Sequence, residues 1–364
     1  MRFADFDHRL AVLGALPVHR GRIMRVWLQG RALDHGTRRR SSENFLPLLL
    51  RKGIPALSAD LNRLARIQSE HPGNDGSRLL VELADGQMVE SVLLPRGGLC
   101  VSTQVGCAVG CRFCMTGKSG LIRQVTSMEI LAQVVLARRL RTVKKVVFMG
   151  MGEPAHNLDN VLEAINLLGT EGNIGHKNLV FSTVGDRRVF EALPRQRVKP
   201  ALALSLHTTK ADLREHLLPR APKISPEELI ELGEQYGRLT GYPIQYQWTL
   251  LKDVNDGDDE LDAIVRLLKG KYGVLNVIPF NSSEGDDFER PETERIREIV
   301  RSLQSRGVLT KVRNSAGQDV EGGCGQLRAR AVAATKMLEI PRKRIAKQQA
   351  SSGATVAPPS CAAL

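Results

Sequence analysis

The chain has 364 residues, 42% hydrophobic and 25% charged, a globular composition with enough apolar side chains for a sizeable core, which excludes disorder throughout. Lysine and arginine total 52 against 39 acidic residues, giving a net charge of +13 and a pI near 9.7, so an acidic partner is expected, nucleic acid first. No stretch approaches the roughly 20 apolar residues of a membrane span, and MRFADFDHRL carries acids where a secretory signal needs an apolar run, so no membrane partner and a cytoplasmic location are expected.

The excess charge is local. Residues 1–90 carry +4, residues 91–150 carry +8, the tail 341–364 carries +4 and residues 151–340 carry −3. A polyanion is drawn toward 91–150, although the same arginines and lysines could be solvated helix faces.

In chain order, HRGRIMRVWLQ (19–29) has helical apolar spacing, and 48–67 reads as short helices broken by Gly53 and Pro55. Residues 1–77 therefore form a small helical module, an RNA-binding accessory domain in the expected division. Two alternating runs around Asp85-Gly86 predict a linking β-hairpin over 78–98. Strands are predicted at 99–105, 144–150, 178–183, 201–207, 244–251 and 274–280, with a further one at 307–312. Helices are predicted between them at 127–141, 157–169, 209–217, 226–239 and 257–269, the first opened by a capping box from Thr126 to Glu129. This alternation implies an α/β fold with parallel pairing, either a β/α barrel or a doubly wound sheet. A helix from about 325 to 338 ends the core, 99–340, and the basic tail 341–364, polar and Pro-containing, is expected to be disordered.

Six cysteines are too few for a disulfide scaffold, and three of them, Cys107, Cys111 and Cys114 in GCAVGCRFCMTG, crowd the loop after the first barrel strand. Chemistry in β/α enzymes sits at that end of the strands. Structural zinc needs a fourth ligand that the neighbourhood lacks, whereas a 4Fe–4S cube on three thiolates keeps one iron open. Cys100 lies seven residues upstream, and Cys324 lies in EGGCGQLRA. Each alone reads as a buried structural thiol. KKVVFMGMGEPA also fits a G-x-G-x-x-A dinucleotide turn, but Pro154 and its place after the second strand of the series fit poorly with a first Rossmann unit. The final CAAL formally reads as a prenylation box on Cys361.

The triplet with its spacing of three then two residues and Phe113 before the last cysteine resembles the signature of radical S-adenosylmethionine (SAM) enzymes. Together with LCVSTQVGC, VVFMGMGEP, FSTVG, LSLH, IPFN and CGQL, it resembles the RlmN/Cfr family of radical SAM adenosine methyltransferases over about residues 90–327. The resemblance implies a partial (βα)6 TIM-like barrel with the small N-terminal domain and a C-terminal extension. It implies one 4Fe–4S cluster per chain on Cys107, Cys111 and Cys114, with SAM contacted by Gly152, Glu153, Ser182, Ser205, Leu206, His207 and Asn281.

It further implies that Cys324 takes a methyl group from one SAM, that a radical from a second SAM activates it, and that the carbon adds to an adenine ring carbon, most simply carbon 2. Cys100 would release the RNA by forming a disulfide with Cys324, and Glu90 in VESVLLP would accept the ring proton, unless it is an ordinary exposed strand glutamate. The implied partners are ribosomal RNA (23S) or tRNA and an electron donor such as flavodoxin with its reductase, and the chain is expected to be a monomer. Departures in SVLLPRGGL, after Cys114 and in NSAGQDVEGGC leave the RNA, and the choice of carbon 2 or carbon 8, open. Another radical SAM reaction, or a non-catalytic RNA-binding paralogue with a structural metal, are the alternatives.

Overall fold

The computed structural model describes residues 1–35, 45–74, 76–118, 120–281, 287–313, 325 and 327–329. Helices α1 (Phe3–Val12), α2 (Pro17–Leu28) and α3 (Leu48–Arg63) come first. The break expected at Gly53 and Pro55 is absent: α3 runs through Pro55, and Leu50, Leu57 and Leu61 bury one face along its length. Packing of that face outweighs the lost N–H of one proline.

An antiparallel ribbon follows, β1 (Ala65–Gly73), β2 (Gly76–Leu83) and β3 (Met88–Leu94), with the expected turn at Asp85-Gly86 between β2 and β3. The strand β1 was not foreseen. β3 pairs antiparallel with β4 (Gly98–Cys100), and β4 opens a parallel series: β7 (Lys145–Phe148), β8 (Leu179–Thr183), β9 (Ala201–Ser205), β10 (Ile244–Leu250), β11 (Gly273–Pro279) and β12 (Thr310–Val312). The crossovers carry α5 (Ser127–Leu140), α6 (Leu158–Thr170), α7 (Arg187–Ala192), α8 (Ala211–Leu217), α9 (Pro226–Thr240), α10 (Asp258–Leu268) and α11 (Thr293–Ser305). The result is the expected six β/α units, closed by β12. α1, α7 and α11 lie outside the predicted helices. Of the helix expected at 325–338, residues 325 and 327–329 are described, 325 as a turn and 327–329 as helix. The tail 341–364 lies outside the described residues.

The predicted strand 99–105 is instead two, β4 and β5 (Gln104–Gly106), the latter paired antiparallel with β6 (Leu121–Gln124). The interruption has a side-chain cause. Gln133 of α5 accepts from the Ser102 N–H at 2.9 Å and donates to the Ser102 carbonyl at 3.0 Å, replacing ladder bonds at that residue.

Alternation along the parallel strands sorts the barrel into two faces. Leu99, Val146, Phe148, Leu179, Phe181, Leu202 and Leu204 join the main core beneath the helices, while Val92, Cys100, Val147, Val180, Ala201 and Ala203 pack together on the opposite, luminal face. The main core also takes in Phe6, Leu10 and Trp27 of the N-terminal helices. The Thr126–Glu129 capping box forms as expected, with the Thr126 N–H 2.8 Å from the Glu129 carboxylate.

Candidate active site

The cysteine triplet spans the loop between β5 and the short helix α4 (Met115–Lys118). Cys107 packs with Val109, Val184, Leu217, Leu251 and Phe280 in an apolar cap at the C-terminal ends of the strands, and Cys111 and Phe113 border it. Backbone bonds fix the loop: Cys107 N–H to the Gly120 carbonyl at 2.9 Å, Arg112 N–H to Leu217 at 3.0 Å and Cys114 N–H to Cys111 at 3.1 Å.

Burial pushes the Cys107 thiol up to about 11, with smaller like-charge contributions from Cys114 and Glu153. Burial first, then the charges of Cys114 and Cys107, raises Cys111 well above its ordinary value. Among the described residues, no three or more His, Cys, Asp or Glu side chains stand in an arrangement that could hold a metal ion. The donor chemistry nonetheless fits an iron–sulfur group: three thiols lie within electrostatic reach of one another, and the two whose burial opposes ionisation, Cys107 and Cys111, would be relieved by a bound cation.

The second wall is GMGEP after β7. Gly152 has φ +101°, and a Cβ there would lie 2.5 Å from the Gln104 Cβ, so only glycine lets this loop close on β5. Gly152→Ala is expected to push the loops apart and cost about 2 kcal/mol, with weaker SAM binding, measurable by denaturant titration and calorimetry. Glu153 is buried, and its carboxylate accepts the Ala155 and Val184 N–H groups, both at 3.0 Å. It therefore ties the end of β7 to the end of β8; burial raises its pKa, opposed by those bonds.

Ser182 and Ser205 stand at the ends of β8 and β9, and Leu206 is fully buried in the main core, so Leu206 can offer a ligand only its backbone. Asn281 follows β11, and its Nδ2 is buried without a hydrogen-bond partner among the described residues. An orphaned donor at that end of the barrel suits a polar ligand such as SAM.

His207, buried with φ +63°, accepts the Thr249 N–H at Nδ1 over 2.9 Å, and its ring meets Phe113 edge-on at 4.8 Å between centroids. The cluster loop and β9 are thus in direct contact. Burial, with Arg214 beside it, lowers the His207 pKa to about 3. The imidazole stays neutral in the folded chain while an unfolded chain takes up a proton near pH 6.5. Stability is therefore expected to fall as pH drops from 6.5 toward 3, by about 1.4 kcal/mol per pH unit from this group. Denaturant midpoints across that range should show a shallower slope for His207→Asn.

Glu90 is not an exposed strand glutamate. It is 2% exposed, paired with the equally buried Arg78 at 3.3 Å, and its other oxygen accepts the backbone N–H of Arg328 at 3.0 Å. Its carbonyl accepts from the Ser102 hydroxyl at 2.5 Å. Val92, two residues on, pairs with Cys100 and shares its luminal cluster, which puts Glu90 and Cys100 on one face. Cys324 lies outside the described residues.

The expected disulfide is corrected: among the described residues, Cys100, Cys107, Cys111 and Cys114 form no disulfide bond. Cys100 is embedded among Val92, Val147, Val180 and Ala203, with no second cysteine in that luminal cluster among the described residues. The sequence reading passed over Arg78, Ser102, Gln133 and Arg214. Arg214, 4% exposed, donates to the Val184 and Ser205 carbonyls, and burial lowers its pKa to about 10 against the pull of Cys111 and Glu153. The available signal for Arg78 was a basic residue within GSRLLVEL, two strand positions before Leu80, the residue paired with Glu90.

Comparison with known proteins agrees with this geometry. The Radical SAM superfamily model matches residues 101–268. A Bordetella avium protein named "Probable RNA methyltransferase" is 82% identical over 94% of this chain and 97% of its own, and one of the same name in Pseudomonas aeruginosa is 70% identical over 94% of this chain and its own full length. The crystal structure of a radical SAM methyltransferase from Sphaerobacter thermophilus superposes with a TM-score of 0.76 at 34% identity, covering 90% of this chain and 97% of that one. With cysteine loop, GMGEP wall and barrel in their expected places, the chain belongs to the radical SAM methyltransferases, as a close relative of the RlmN/Cfr family.

Proposed function

We propose that the protein methylates a ring carbon of an adenosine in RNA, carbon 2 being the simplest assignment, with Cys324 as the methyl carrier. The similar proteins named RNA methyltransferases support an RNA substrate, as does the +8 charge of the segment bearing the cysteine loop. The observation that carries the reading is the bond from the Arg328 N–H to Glu90, which brings the segment following Cys324 to the luminal face that bears Cys100.

Cys107, Cys111 and Cys114 would hold a 4Fe–4S cluster, which when bound supplies the electron that opens SAM to a carbon-centred radical. Gly152, Glu153, Ser182, Ser205, His207 and Asn281 would border SAM at the strand ends. The Cys324 thiolate would attack the methyl carbon of one SAM, with S-adenosylhomocysteine leaving, and present the methyl group to the base; a second SAM supplies the radical, so two SAM molecules are spent per methylation. The apolar cap around Cys107 keeps water from the reacting carbon. A low-potential donor such as flavodoxin with its reductase supplies the electrons.

The test is anaerobic incubation of the reconstituted protein with reductant, isotope-labelled SAM and unmodified rRNA or tRNA, followed by nucleoside mass spectrometry. Label on an adenine ring carbon is expected. SAM cleavage without label in either RNA would overturn the proposal.

A further inference from the structure

We propose that Arg78 is a positioning residue: it holds Glu90 as a fixed anionic post on which the backbone of the C-terminal segment docks beside the cysteine loop. The functional consequence rests on the reading above, in which Cys324, the residue before Gly325, carries the methyl group.

The two oxygens of Glu90 divide their work. Oε2 faces the Arg78 guanidinium at 3.3 Å, and Oε1 accepts the Arg328 N–H at 3.0 Å. Arg78 and Glu90 are both 2% exposed. A buried ion pair is a poor source of net stability, and its best-attested use is to specify one arrangement over others. The arrangement specified here is long-range, because Glu90 and Arg328 are 238 positions apart.

A second grip lies on the cysteine loop itself. Gly325 has φ +94°, and a Cβ there would fall 2.6 Å from the Thr116 Oγ1 and 2.9 Å from the Thr116 N, two residues past Cys114. Between the grips, Ala329 N–H bonds to the Gly325 carbonyl at 3.0 Å, and Leu327 and Arg328 are each only 6% exposed. The segment is thus held between α4 and the β2–β3 ribbon. With both oxygens engaged, Glu90 serves first as an acceptor for this backbone.

Hydrogen exchange on the full-length, anaerobically reconstituted chain tests the idea. Glu90→Ala removes the post, and amides 327–329 should exchange about tenfold faster while α6 is unchanged. Loss of protection in α6 as well would mean general unfolding, and the double variant Arg78→Met/Glu90→Gln then decides. It removes both buried charges yet keeps an acceptor oxygen for the Arg328 N–H. Its protection at 327–329 should return to within about threefold of wild type, as should S-methylation of Cys324 by SAM, read by intact mass. Unchanged exchange in Glu90→Ala, or a double variant as open as the single one, would overturn the docking role. If wild-type Cys324 gains no methyl group, the methyl-carrier reading fails, while the exchange result still decides the docking.

Discussion

Cys324→Ala protein, purified anaerobically, is expected to keep its iron and sulfide, to cleave SAM with a reductant, and to transfer no methyl group to RNA. The expected loss is at least about a thousandfold, because a missing nucleophile has no substitute of similar reactivity in a site built around it. The separation of the two activities is the informative part. The triplet that would hold the cluster lies over 200 positions upstream, in a loop fixed by its own backbone bonds. Iron content and SAM cleavage near wild type, with no labelled adenosine, are the expected readings. Methyl transfer surviving in this variant would exclude a thioether carrier and leave a different radical SAM reaction.

Cys111→Ala should have the opposite breadth, removing both cleavage and transfer. Cys111 is the middle donor of the triplet, and burial first, then Cys114 and Cys107, raises its pKa. Two thiols leave a cube short of a ligand, so iron retained after desalting should drop to about one-tenth or less of wild type. The fold should persist, because Cys111 only borders the apolar cap. Circular dichroism and the thermal midpoint should change little while the brown absorbance disappears. A colourless Cys111→Ala protein that still labels RNA would end the iron–sulfur reading.

What could be read from the sequence was local. The capping box and the individual strands and helices of the alternating series are each set by neighbouring residues, and they reappear in the fold. Three features depended on distant partners and stayed hidden. α3 runs on past Gly53 and Pro55 because Leu50, Leu57 and Leu61 find a core that the sequence does not display. The split of 99–105 depends on Gln133, a residue that reads as the polar face of an amphipathic helix yet is fully buried and bonded to Ser102. Glu90 owes its burial to Arg78 across the ribbon and to Arg328 near the other end of the chain. The basic stretch 91–150 was likewise only partly what it promised. Arg123 is spent on Asp85 and Glu129, and Arg138 on the carbonyls of Leu28 and Gly172, while Arg112, within the cysteine loop, is exposed.

Helix α5 is covered on nearly every side, with Met128, Ile130, Leu131, Val134 and Val135 all inside and α2, α6 and β1 among its neighbours. Its two flanks belong to different parts of the chain, so the leading helices serve as a lid over barrel residues that water would otherwise reach. Trimming the protein to a minimal catalytic core at residue 64 would bare a greasy stripe and invite self-association, which makes the first sixty residues a folding requirement.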